Sequence, residues 1–129
     1  MRILLDTHCW LWFNSTPERF SARTRRLLEE PANELFLSVA SAWEIGIKVA
    51  LGKLQRPEPI EDYVTSRLSA DGIVALPISL AHVLRAGRLP PLHRDPFDRM
   101  LVAQAQLEEL RLLTADKVLA KYDVELLKA

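Results

Sequence analysis

The chain has 129 residues, 49% of them apolar and 26% charged, an ordinary globular balance at a length that predicts one domain over residues 1–129. Its 17 lysines and arginines offset 17 aspartates and glutamates, which excludes a basic domain that holds nucleic acid by net charge alone but not one that binds it locally or through a metal. The one cysteine, Cys9, excludes an intrachain disulfide and a cysteine-rich zinc site, and fits a reducing cytoplasm.

Residues 2–5 (RILL) form a short apolar run ending on Asp6, the pattern of a buried parallel strand. Asp6 and His8 interrupt the apolar start, and no signal-peptide cleavage pattern follows. No stretch of about 18 apolar residues predicts a membrane span. The chain is therefore expected in the cytoplasm.

Thr7 to about Phe13 is predicted helical, and Asn14–Phe20 is a polar connection holding Pro17. Ser21 caps a helix to about Glu30. Pro31 and Asn33 turn the chain into a second strand, residues 34–37 (ELFL). Ser38 caps the next helix, whose apolar positions read as Val39, Trp43, Ile47 and Ala50, with Gly52 near its end. Pro57 and Pro59 break the chain before a helix from about Ile60 to Ala70, with Tyr63, Val64 and Leu68 as its apolar face and Gly72 as its stop. Residues 73–78 (IVALPI) read as a third strand, with Pro77 placing its end at a sheet edge.

Ser79 caps a helix to about Gly87, and a loop runs from Arg88 to Asp95. Pro96 suits the first turn of a helix capped by Asp95 and running to about Glu109. Residues 111–114 (RLLT) are a fourth strand, followed by Asp116, a last helix to about Lys121, and a short strand over Val124–Leu126. This repeated strand–helix order predicts an α/β fold: a mostly parallel sheet with helices on both faces. Ligands bind such sheets beyond the carboxyl ends of the strands.

Two acids sit at those ends. Asp6 follows RILL directly, and Asp116 follows RLLT with only Ala115 between. A carboxylate beside a buried strand is costly unless paired, hydrogen-bonded or metal-bound. The plain alternative for each is a helix cap. Two more acids fall on apolar helices: Glu44, whose plain alternative is an i,i+4 salt bridge to Lys48, and Asp98, whose alternatives are a favourable place in a helix's first turn and ion pairs with its neighbours. Converging, Asp6, Glu44, Asp98 and Asp116 would repel strongly and would all stay ionised only around a cation. All-oxygen donors favour Mg²⁺ or Mn²⁺ over zinc, and a metal so held suits phosphodiester hydrolysis.

These residues carry a resemblance. LLDTH around Asp6, SAWEIGIKVALGKL around Glu44, HRDPFDRMLVAQA around Asp98 and LLTAD around Thr114 and Asp116 stand in order along the chain, from residue 2 to about 126. Together they resemble the motifs of a PIN-domain protein of the VapC type, the toxin ribonuclease of bacterial toxin–antitoxin pairs. The resemblance implies a three-layer α/β/α sandwich and a Mg²⁺- or Mn²⁺-dependent endoribonuclease whose metal site is lined by Asp6, Glu44, Asp98 and Asp116. It further implies a homodimer inhibited by a small antitoxin protein.

Beside those acids, Asp95 is a fifth candidate, for which a helix cap is the simpler role. Thr7 and Thr114 are candidate partners of the acids or of substrate, and Arg99 is a candidate contact for substrate phosphate. Arg23, Arg25, Arg26, Lys48, Lys53 and Arg94 are further phosphate contacts to weigh. His8 could touch substrate or simply pack, and His93 could help bind phosphate or simply hydrogen-bond its loop; the histidines share no metal-like spacing. Trp10, Trp12 and Trp43 read as core or dimer contacts more readily than as base-stacking platforms. Two rivals to the ribonuclease stand: a PIN-fold binding module with little catalysis, and another metal-dependent phosphodiesterase such as a DNA nuclease. An NTPase is disfavoured, because no GxxxxGK[ST] loop is present.

Overall fold

The computed structural model describes residues 1–55 and 58–129; the expected break at Pro57 lies outside the described residues. Five strands, β1 (Arg2–Leu5), β2 (Glu34–Ser38), β3 (Val74–Leu76), β4 (Arg111–Thr114) and β5 (Leu126–Lys128), pair in the order β3-β2-β1-β4-β5 among the described residues. Every pairing is parallel. The helices are α1 (Thr7–Ser15), α2 (Ala22–Glu29), α3 (Val39–Ala50), α4 (Ile60–Asp71), α5 (Leu80–Arg88) and α6 (Pro96–Glu108). No helix among the described residues is long and apolar enough to cross a membrane.

The strands read as continuous apolar runs because both sheet faces are covered. Side chains alternate between faces along a strand, and the cores follow that period. Ile3 and Leu5 pack with Leu35, Leu37, Leu113, Trp10 of α1, Ile45 of α3 and Tyr63 of α4. Leu4 packs on the other face with Phe36, Leu112, and Leu101, Val102 and Ala105 of α6. The result is a three-layer α/β/α sandwich. Complete burial of a leucine such as Leu4 or Leu112 contributes roughly 1.5–3 kcal/mol.

The caps fall where the sequence placed them. Ser21, Ser38, Ser79 and Asp95 each accept a hydrogen bond from a first-turn N–H of the helix they precede. Gly72 closes α4 in the left-handed region at φ 64°, where a side chain would be strained.

Several expectations change. The inward face of α3 is Ala40, Ser41, Glu44 and Ile45, while Val39 and Trp43 are exposed, Trp43 by 66%. Small residues and an acid face inward there because α3 meets α1 through hydroxyl and carboxylate hydrogen bonds. Helix α1 runs two residues past Phe13, and Pro17–Arg19 forms a 3-10 turn. Strand β3 is limited to Val74–Leu76, as the outermost strand before Pro77, which has no N–H to add to a ladder. The expected last helix is a 3-10 turn, Lys117–Lys121, and the final strand lies two residues later than expected, pairing with Leu112–Thr114.

Strand order decides where chemistry can sit. The chain moves outward from β1 through β2 to β3, then crosses back to place β4 on the other side of β1. This switch leaves a crevice at the carboxyl ends of β1 and β4, the strands that end on Asp6 and just before Asp116.

Candidate active site

Asp6 leaves β1 at the first turn of α1. Its Oδ1 accepts the Cys9 N–H at 2.7 Å, and its Oδ2 accepts the Thr114 hydroxyl at the end of β4. The same Thr114 oxygen accepts the Asp116 N–H at 3.0 Å, so one hydroxyl ties the two strand-end acids together. Asp116 Oδ1 in turn accepts the Val118 N–H at 2.9 Å. Both aspartates therefore serve as caps as well as facing the crevice; the plain role and the shared site coexist.

Glu44 is buried on α3. Its Oε1 accepts the Thr7 hydroxyl at 2.6 Å, and Thr7 Oγ lies 2.9 Å from Ser41 Oγ. Its other oxygen is 3.1 Å from Lys48 Nζ, so the i,i+4 ion pair forms too. Asp98 stands in the first turn of α6, whose cap Asp95 accepts the Phe97 N–H at 2.8 Å and the Asp98 N–H at 3.3 Å.

Electrostatics show the convergence. The Asp98 carboxyl is pushed up to about 7, first by burial and then by the negative charge of Asp95, with Asp6 and Glu44 adding to it and His93 opposing. Burial first, and neighbouring negative charge second, favour its protonated form. Burial would raise Asp116 too, but the hydrogen bond from His93, the Val118 N–H and the charges of His93 and His8 outweigh it, and the group lies below its ordinary value. Burial, then the Asp6 charge and hydrogen bond, push the Cys9 thiol well up; it stays a neutral S–H in the core.

Thr114 thus links Asp6 to Asp116, Thr7 bonds Glu44, and Asp98 lies within reach of the charges of Asp6 and Glu44. Asp95 acts as the cap. Arg99 commits its guanidinium to the main-chain carbonyls of Pro90 at 3.1 Å, Ala86 at 2.9 Å and Leu89 at 3.1 Å, clamping the α5–α6 connection. Trp10 is core, whereas Trp43 meets Phe97 of α6 edge-on at 5.3 Å between ring centroids.

His93, left undecided by the sequence, reaches two of these acids. Its Nε2 is 2.8 Å from Asp116 Oδ2 and 3.2 Å from Asp98 Oδ2. One donor or acceptor atom from each of His93, Asp98 and Asp116 lies within 4.8 Å of the others. The only signal in the chain was its place in the HRD tripeptide before Pro96. Lys117 and Lys128 were also passed over; they line a cleft that includes Asp116.

The donors fit a hard divalent cation. They are carboxylates, and Asp98, raised first by burial and then by neighbouring negative charge, is a group whose ionised form a nearby cation would favour.

The chain matches the PIN domain family over residues 3–125 and belongs to it. Among curated proteins, it is 44% identical to Ribonuclease VapC16 of Mycobacterium tuberculosis over 59 residues, 46% of this chain and 42% of that protein. It thus spans less than half of that relative's length. Ribonuclease VapC22 of the same organism is 26% identical over 121 residues, 93% of this chain and 91% of that protein. Among solved structures, VapBC2 from Rickettsia felis, bound to a DNA fragment from its promoter, superposes with a TM-score of 0.73 at 17% identity, covering 100% of this chain and 99% of that one. VapBC-1 from nontypeable Haemophilus influenzae gives 0.67 at 18% identity, covering 99% and 98%. At these identities the structures support the fold.

Proposed function

We propose that the chain is a VapC-type endoribonuclease, the toxin of a toxin–antitoxin pair, acting in the cytoplasm with Mg²⁺ or Mn²⁺. The observation that supports this reading is the linkage of the motif acids: Thr114 bonds Asp6 and the Asp116 N–H, His93 reaches Asp116 and Asp98, and Asp98 feels the charges of Asp6 and Glu44. Asp6, Glu44, Asp98 and Asp116 would hold the cation. When bound, it supplies an activated water and stabilises the departing oxygen of a phosphodiester. The names of the VapC relatives support RNA as substrate.

The chain's own residues set the stage for that chemistry. Thr114 and the Cys9 N–H fix both oxygens of Asp6, so its orientation does not depend on ligand. Thr7 fixes one oxygen of Glu44, and Lys48 offsets part of its charge. Asp98, its carboxyl pushed up to about 7, would ionise more readily beside a bound cation. Lys117 and Lys128, beside Asp116, offer positive charge to flanking phosphates.

Partners follow from the same reading. The VapBC structures that share the fold pair a VapC chain with a VapB chain by name, which supports a small antitoxin protein as the inhibitor of this chain. The exposed Leu80, Val83 and Leu84 share one face of α5, an apolar stripe of the kind that marks a protein contact; we assign it to a homodimer. Leu84→Glu would then shift the light-scattering mass from dimer to monomer.

The deciding experiment is cleavage of a mixed RNA pool by the partner-free protein with Mg²⁺ or Mn²⁺, with EDTA, and with Asp98→Asn. Cleavage by the wild type with metal alone is expected, and it weakens as salt rises. Cleavage of DNA in preference to RNA moves the assignment to another phosphodiesterase. Folded protein that neither cleaves nor takes up metal by calorimetry is a binding module.

A further inference from the structure

His93 stands against two acids of the site, and its tautomer can be read from what surrounds it. Its Nδ1 faces the Asp95 main-chain N–H at 3.0 Å and accepts from it. An Nδ1–H would point one donor at another, so in the neutral ring the proton belongs on Nε2. That Nε2–H meets Asp116 Oδ2 at 2.8 Å, with Asp98 Oδ2 at 3.2 Å. The residue is anchored beyond its ring as well: the His93 N–H donates to Tyr122 Oη at 3.0 Å, and Tyr122 Oη donates to the Pro90 carbonyl at 2.8 Å. Asp95, whose N–H aims the ring, is also the cap of the helix that carries Asp98.

We propose that His93 is a positioning residue of the acidic centre: a fixed Nε2–H donor that holds Asp116 and Asp98 toward each other, and not itself a ligand of the cation. The inference rests on the metal-site reading above. Distance alone would admit His93 as a third ligand. Ligation needs a free lone pair on Nε2, hence a proton on Nδ1, and the Asp95 N–H opposes that proton. A hydrogen bond from outside the cation orients a carboxylate and leaves its remaining lone pairs for the metal.

The test has two parts. Long-range ¹H–¹⁵N spectra of the ring, recorded on wild-type protein at mildly alkaline pH, report the tautomer directly. The Nε2–H form is expected without metal and after saturation with Mg²⁺. An Nδ1–H form in either state, or loss of the Nε2 proton as Mg²⁺ binds, overturns the proposal. Calorimetry with Mn²⁺ is the second part. His93→Ala is expected to weaken binding by about 10–100-fold, whereas His93→Gln, whose amide N–H extends as far from the backbone as Nε2–H, stays within about threefold of wild type. Equal losses in the two variants overturn the positioning role. If wild type takes up neither metal, the metal-site reading itself has failed. The metal-free spectrum then decides His93 alone: an Nε2–H resonance that moves in Asp116→Asn supports the donor role, and one that does not move overturns it.

Discussion

His82 and His93 are built the same way. In each, Nδ1 accepts a main-chain N–H at 3.0 Å, from Ser79 and from Asp95, and in each Nε2 reaches a carboxylate, Glu108 at 2.9 Å and Asp116 at 2.8 Å. Their surroundings differ. His82 is 2% exposed and completes a capping box at the start of α5, where its one carboxylate partner belongs to the end of α6. His93 lies in a loop and meets two acids, one of which, Asp98, also feels the charges of Asp6 and Glu44. One fastens a helix pair; the other faces a charged crevice. A histidine's local frame sets its tautomer, and the tertiary neighbours of its second nitrogen set its use.

The largest expected effects lie on the crevice side. Asp98→Asn and Asp6→Asn abolish RNA cleavage in protein that keeps its circular dichroism, since asparagine can still accept the Cys9 N–H at position 6. Cleavage undiminished in Asp6→Asn would point to a contaminant and break the contrast outright. Glu44→Gln is expected to cost more activity than stability, because it relieves repulsion while the amide oxygen still accepts from Thr7. Equal losses of activity and melting temperature would return Glu44 to a structural role.

Stability against pH sharpens the same side. Asp98 titrates at about 7 in the fold against an ordinary 3.8. Between those values the folded chain binds the extra proton, so without metal its stability falls as pH rises from about 4 to 7, by a few kcal/mol at most. Below that window the group contributes nothing; above it the penalty is complete. Melting curves should show the slope in wild type, a flatter profile in Asp98→Asn, and recovery with Mn²⁺ above pH 7. A wild-type slope unchanged in Asp98→Asn would remove Asp98 as its source.

On the other side of the comparison, His82→Ala leaves the Ser79 N–H without its acceptor and should cost about 1–3 kcal/mol of stability, with cleavage per folded molecule unchanged. Lost cleavage at full stability would erase the distinction between the two histidines. The smallest effect is expected at Lys48→Ala, whose pair with Glu44 is an i,i+4 contact with the lysine 31% exposed; unfolding curves should move by no more than about 0.5 kcal/mol.

Much of this was legible in the chain. RILL, ELFL and RLLT read as buried strands because both faces of a covered parallel sheet demand apolar side chains. Ser21, Ser38, Ser79 and Asp95 announced helix starts because a cap is a local bond, made within three residues. The α3 face was misread for the opposite reason. Val39, Trp43 and Ile47 form the apolar stripe, yet the helix turns Ala40, Ser41, Glu44 and Ile45 inward, since its contact with α1 joins hydroxyl and carboxylate bonds to the packing of Ile45. No periodicity measures a polar contact. The last strand slipped by two residues because Leu126 and Leu127 alternate too briefly to fix a register, and β4 alone sets it.

By itself the sequence determined the runs of β1, β2 and β4, the acids after β1 and β4, the caps and the four motifs, all of them written within a few neighbouring residues. Only the tertiary structure decided that β1 and β4 lie side by side and that Thr114 joins Asp6 to Asp116 across 108 positions. It alone placed His93 against two acids, left Trp43 at the surface, and held Arg99 on main-chain carbonyls. These depend on distances between segments remote in the chain. Strand order and helix packing set such distances, and no local pattern of residue types encodes them.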